Sequence, residues 1–155
     1  MNEVTVNELK AFLISQEIAF SPYFQAEVDQ KKEELGGLPR LLEEYYLKIG
    51  WFDDISASGM GCYIYPLEEL QIKTAQELVA ARHCNEVDDY LSFGGEAISV
   101  DLFAIKMKDI NQDNASVYGY GESYQSAEGL AYMVAYDAPT LSHYFDLVQQ
   151  SLLEL

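Results

Sequence analysis

Through the first fifty positions, apolar residues recur at steps of three and four. Leu38, Leu42, Tyr45, Tyr46 and Ile49 form the clearest such set, and the spacing predicts one apolar face of a helix. Both ends of this helix are marked. Gly36-Gly37 breaks what precedes it, Pro39 suits a first helical turn, and Gly50 suits a left-handed close. Upstream, Thr5-x-x-Glu8 has the form of a capping box. Leu9, Phe12 and Leu13 follow in step, so residues 6 to 17 read as a helix. Ser21-Pro22 reads as a second helix start, with Phe24, Val28, Lys31 and Leu35 on one side.

Beyond Gly50 the period shortens. Asp53 to Gly61 is small and polar and reads as a loop. Cys62-Tyr63-Ile64-Tyr65 has strand character and is stopped by Pro66. Leu67 to Leu70 reads as one helical turn. Thr74 to about Tyr90 reads as a helix, with Thr74-x-x-Glu77 as its capping box. Gly94-Gly95 reads as a turn. Ala97–Val100, Leu102–Met107, Ala115–Tyr120 and Leu130–Tyr136 read as strands, separated by a polar turn at 109–114 and a loop at 121–129. Thr140 to Leu153 closes the pattern as a helix, with Leu141, Tyr144, Phe145, Val148 and Leu152 on one face; Asp137 or Thr140 is placed to cap it. Helices followed by a run of strands predict an α+β fold. The expectation is a single domain over residues 1–155, with a mixed, mostly antiparallel sheet, helices packed at one face and a C-terminal helix.

Charge narrows the functional classes. The 155 residues carry 26 acidic and 9 basic side chains, a formal net charge of −17. Lys108 is the last basic residue, and the acids that follow it have nothing to offset them. Such a field repels phosphate backbones, which disfavours direct nucleic-acid binding. It serves solubility, and it equally steers a basic partner. Two cysteines, Cys62 and Cys84, make no disulfide framework. Residues 1–6 lack the basic region and apolar run of a signal peptide, and no apolar stretch approaches a membrane span. A reducing cytoplasm is the expected setting, with no membrane partner.

The usual catalytic constellations are missing. His83 and His143 lie in no nucleophile context, and there is no G-x-S-x-G elbow. Ser142-His143 reads as a structural pair. No C-x-x-C or H-x₃-H spacing supports a metal, and the adjacent His83 and Cys84 diverge on a helix. Five acidic doublets occur, but helical neighbours do not converge on one cleft as general acid–base chemistry requires. The Gly119-x-Gly121 run is not followed by a phosphate-binding helix start. No enzyme activity, cofactor or metal is expected. Tyrosine is abundant at 12 residues, many of them in the C-terminal third. It suits half-buried sheet positions and it suits interfaces.

The segment Leu38-Pro39-Arg40-Leu41-Leu42-Glu43-Glu44-Tyr45-Tyr46, then Ile49-Gly50-Trp51, resembles the signature helix of the SUKH superfamily. That group includes yeast cell-wall-synthesis regulators and many bacterial immunity proteins. The run Cys62–Leu70 is similar to the strand and "Leu-x-Glu-Leu" turn that follow in the family. Leu91–Gly94 and Leu102–Ile105 are similar to its middle strands, Val117-Tyr118 to a later one, and residues 139–153 to its closing helix. Gly95–Asp101 is a looser match, and the family supplies no catalytic residues. The resemblance implies a non-catalytic protein-binding domain, an immunity protein that occludes a cognate toxin stoichiometrically. The charge points to a basic toxin such as a nuclease. A regulatory or scaffold module of the same fold is the alternative. The expected contacts are Trp51, Asp53 and Asp54 after the signature helix, with Tyr118, Tyr120, Glu122 and Tyr124. The oligomeric state is left open.

Overall fold

The computed structural model describes residues 2–52, 61–79, 87–97, 102–120, 131–132 and 139–153. Three helices open the chain: α1 (Val6–Ser15), α2 (Gln25–Leu35) and α3 (Arg40–Lys48). A short strand β1 (Cys62–Ile64), a 3-10 turn (Leu67–Glu69), β2 (Gln71–Thr74) and the short helix α4 (Ala75–Val79) follow. The second half supplies β3 (Asp89–Glu96), β4 (Leu102–Lys106), β5 (Tyr118–Tyr120), β6 (Ala131–Tyr132) and the closing helix α5 (Leu141–Leu153). This is the α+β architecture read from the sequence. The described strand pairs are all antiparallel.

Local chemistry explains the helix ends. Thr5 caps α1, its hydroxyl accepting from the Glu8 N–H at 3.1 Å. Gly50 closes α3 at φ +75°, where its N–H donates to the Tyr45 carbonyl at 2.9 Å. The start of α2 lies later than Ser21-Pro22 suggests. Ser21 exchanges two backbone bonds with Trp51, and the Tyr23 N–H donates to the Tyr46 carbonyl. Those partners hold the chain extended until Phe24, whose N–H donates to the Glu27 carboxylate at 3.0 Å.

The sheet runs β1–β3–β4–β5–β6, with β2 beside β1 along the same edge of β3. The last half of β3 pairs with β1 and the first half with β2. The helix expected from Thr74 to Tyr90 is therefore corrected at both ends. Thr74 ends β2, though its hydroxyl does accept from the Glu77 N–H, and Tyr90 belongs to β3. Residues 80–86 of that span lie outside the described residues. The Gly94-Gly95 turn is also corrected, because both glycines sit inside β3. The missing side chains serve close approach: a Cβ on Gly94 would stand 2.5 Å from the Tyr63 carbonyl oxygen and 2.8 Å from the Tyr144 hydroxyl. A bulge between Ser92 and Gly94 re-aims the strand at this point.

Alternation divides the sheet into two faces. Leu91, Phe93, Phe103 and Ile105 pack with α1, α2, α3 and α5 in the main core. Tyr144 of α5 sits at its centre, edge-on to Phe93 and Phe103 with ring centroids 5.0 and 5.3 Å away. Its hydroxyl donates to the Tyr63 carbonyl at 2.6 Å, which ties α5 to β1. The apolar face of α3 is fully used: Leu38, Leu42, Tyr45, Tyr46 and Ile49 are all buried. Its Glu43 and Glu44 are half-buried and paired, to Lys32 at 3.1 Å and Lys48 at 2.8 Å. Tyr90, Ala104, Tyr118 and Tyr120 point to the opposite face, where Ala75 and Leu78 form a smaller cluster with them.

Candidate functional site

The expected contact residues do not form one patch among the described residues. Trp51 follows α3 on the helical side and is half-buried beside Ser21. Tyr118 and Tyr120 lie on β5 at the second sheet face and are only 7% and 3% exposed. They are corrected from projecting contacts to packed ones. Tyr118 meets the Tyr90 ring edge-on at 5.8 Å, and the Lys106 ammonium lies 5.0 Å from its centroid. Asp53, Asp54, Glu122 and Tyr124 lie outside the described residues.

Two surfaces carry chemistry instead. The first is the outer side of α2, which has only Val28 and Leu35 as buried residues and so leaves most of its circumference to solvent. Glu27, Asp29, Glu33 and Glu34 are exposed along it. Its two lysines are already paired, Lys31 with Glu34 and Lys32 with Glu43. Phe24, at its N-terminal end, is 78% exposed, and no packing against the core accounts for it. The sequence pattern placed Phe24 on one side with Val28, Lys31 and Leu35, of which Val28 and Leu35 are buried. The clue to its exposure is how little apolar surface the rest of α2 offers. A groove of about 290 Å³ runs between α2 and the 3-10 turn, lined by Glu27, Gln30, Lys31, Glu34, Leu67 and Glu68. Tyr23 braces this side: its hydroxyl donates to Glu68 at 2.9 Å and accepts from the Leu67 N–H. Burial, then the bond to the Glu68 carboxylate, pushes the Tyr23 phenol up to about 12.

The second surface is a cavity of about 310 Å³ on the second sheet face. Strand alternation builds it. Gln71 and Lys73 share a side of β2, Ser92 lies opposite Gln71 on β3, and Leu102 lies opposite Tyr120 across β4 and β5. Tyr65 and Glu69 complete the lining. Ser92 and Tyr120 are buried and share a hydrogen bond at 3.0 Å. Burial raises the phenols of Tyr65 and Tyr120, against the lowering effect of the neighbouring hydroxyls.

The Ser142-His143 pair serves the start of α5. The Thr140 hydroxyl bonds His143 Nδ1 at 2.6 Å, and the Ser142 N–H donates to Asn114 Oδ1 at 3.0 Å. Val4 donates its N–H to the Ser142 carbonyl, so the same point anchors the N-terminal segment. Cys62 is buried with a free thiol, which burial pushes up to about 12. Among the described residues no group of three or more His, Cys, Asp or Glu is placed to hold a metal ion. No described helix is long and apolar enough to cross a membrane. Compared with known protein families, with curated proteins and with solved structures, the chain matches none.

Proposed function

We propose that this chain is a non-catalytic protein-binding domain of the SUKH type, an immunity protein that neutralises a basic bacterial toxin, such as a nuclease, by stoichiometric occlusion in the cytoplasm. The observation that carries the reading is the acidic outer side of α2 with Phe24 at its end. The lysines there are neutralised within the chain, so the acids beyond those pairs face a partner uncompensated. Charge of this kind sets encounter rate and rejects acidic partners, while an aromatic anchor holds the complex once formed. Area is no obstacle: the accessible surface is 7857 Å², and a standard interface takes about 800 Å² from each partner. The order of elements also accommodates the resemblance, since the Leu38–Gly50 segment folds as a capped core helix and residues 141–153 as the closing one. The free, buried Cys62 suits a reducing compartment.

Co-expression with the toxin encoded beside it tests this reading. Rescue of growth, a one-to-one complex, and an association rate that falls steeply with salt are the expected results. No complex, or an association rate indifferent to salt, would overturn the charged-partner mechanism. A stable complex with a housekeeping protein and no rescue would assign the chain to the regulatory or scaffold class.

A further inference from the structure

Eight of the nine basic side chains fall within the described residues. Lys31, Lys32, Arg40, Lys48 and Lys106 pair with carboxylates at 2.8–3.4 Å. Lys10 lies 5.9 Å from the centre of the Phe20 ring, and Lys108 is exposed. Lys73 differs from all of these. Like Lys10 and Lys108 it has no carboxylate within ion-pair distance among the described residues, but it is half-buried in the lining of the cavity on the second sheet face.

We propose that this cavity binds a small, singly charged organic carboxylate, held by the Lys73 ammonium and the hydroxyl cluster of Tyr65, Ser92 and Tyr120. Proton counting supports a donor there. The hydroxyls of Tyr65, Ser92 and Tyr120 bond among themselves, and a chain of three uses two of their three O–H protons, so one remains to give. A charge-assisted bond from the ammonium and a neutral one from that hydroxyl match the acceptor-only chemistry of a carboxylate. Glu69 at the rim opposes a second negative charge. It is exposed and screened by solvent, whereas Lys73 is half-buried, so the field inside favours one negative charge and resists two. Leu102 and the Tyr65 ring supply an apolar wall. The volume of about 310 Å³ lies at the lower end for small-ligand sites, which fits a compound of benzoate's size. This inference is independent of the toxin-binding surface, which lies on α2.

Benzoate titrated into the purified full chain, followed by backbone amide shifts, is the test. Saturable shifts at residues 71–74 and at Ser92 are expected, with no saturation by the neutral isostere benzamide. Lys73→Met should weaken benzoate at least tenfold and Lys73→Arg should restore most of it, while Lys108→Met leaves it unchanged. Unaltered thermal unfolding of each variant confirms the fold. Equal binding of benzamide, unchanged affinity in Lys73→Met, or tighter binding of inorganic phosphate than of benzoate would each overturn the assignment.

Discussion

Alkaline pH should unfold this chain in one step, because its largest buried side chains are phenols. Tyr45, Tyr46 and Tyr144 are at most 1% exposed. Burial is the first cause that raises each of their pKa values, and contacts with neighbouring ionisable groups add to it. A raised phenol pKa means that the folded chain keeps the proton longer than the unfolded chain does. Below about pH 10 both states hold it and the group is neutral to stability. Above that, only the unfolded state ionises, and stability falls as pH rises. Each such phenol then costs about 1.4 kcal/mol at pH 11 and about 2.7 kcal/mol at pH 12, from the linkage relation. Three together cost about 4 and about 8 kcal/mol, against a total of roughly 5–15 kcal/mol for a domain of this kind. Cys62 begins to act one unit earlier, since its thiol is pushed from 9.0 up to about 12.

Urea unfolding at a series of pH values gives the stability directly, and phenolate absorbance recorded with circular dichroism gives the mechanism. At least three of the twelve tyrosines should ionise only together with the cooperative loss of structure, with a midpoint near pH 11–12. Tyr45→Phe should remove about a third of the slope contributed by the trio, because one linked proton is gone. Ionisation of all twelve near pH 10 with the dichroism intact would refute the burial of α3 and α5 against each other.

Thr5→Ala should lower stability by about 1 kcal/mol through loss of the α1 cap, read as a drop in the thermal midpoint. Gly50→Ala should cost about 2–4 kcal/mol in chemical denaturation, since the residue sits at φ +75° and its new Cβ would press on the Ser21 carbonyl and on Pro22. Gly94→Ala should be of similar severity, because the Tyr144 hydroxyl and the β1 backbone already occupy the space. Phe24→Ala should leave stability within about 0.5 kcal/mol yet raise the dissociation rate of the proposed toxin complex at least tenfold, measured by surface plasmon resonance; an unchanged rate would remove Phe24 from the proposed interface.

The helical layer was legible in the sequence where several local signals agreed. For α3, period, proline and glycine all pointed the same way, and every residue of its apolar stripe is buried. Positions 74–90 misled at their ends, because the helical spacing of Ala75, Leu78 and Val79 was extended over Thr74 and Tyr90, which belong to strands. What places Tyr90 in a strand is its pairing with Lys73 and Lys106, a tertiary contact that a linear period does not encode. Gly94-Gly95 misled for a related reason. Paired glycines mark turns when read alone, but here they clear room for a tyrosine from a helix 49 residues further on. The cavity was invisible for the same cause, since Tyr65, Lys73, Ser92 and Tyr120 are unremarkable until four strands align.

The tyrosines show how one composition serves two demands. A sheet covered on one side by helices and on the other by the smaller cluster around α4 needs residues that fill volume and still satisfy a polar group. Tyr46 and Tyr144 do this on the helical side, donating to the Tyr65 and Tyr63 carbonyls of the β1 segment. Tyr120 does it on the other side through Ser92. Most of the described phenols are therefore committed to the fold, and the reading of tyrosine as an interface marker loses its force for Tyr118 and Tyr120. The acids behave differently. Burying one without a partner costs several kcal/mol or more, so they are driven outward. Among the described residues Asp146 is the one buried acid, and it accepts from Gln150 at 2.8 Å. Among the described residues Phe24 is the one exposed aromatic, so the proposed recognition rests on the charge of α2 and on that ring.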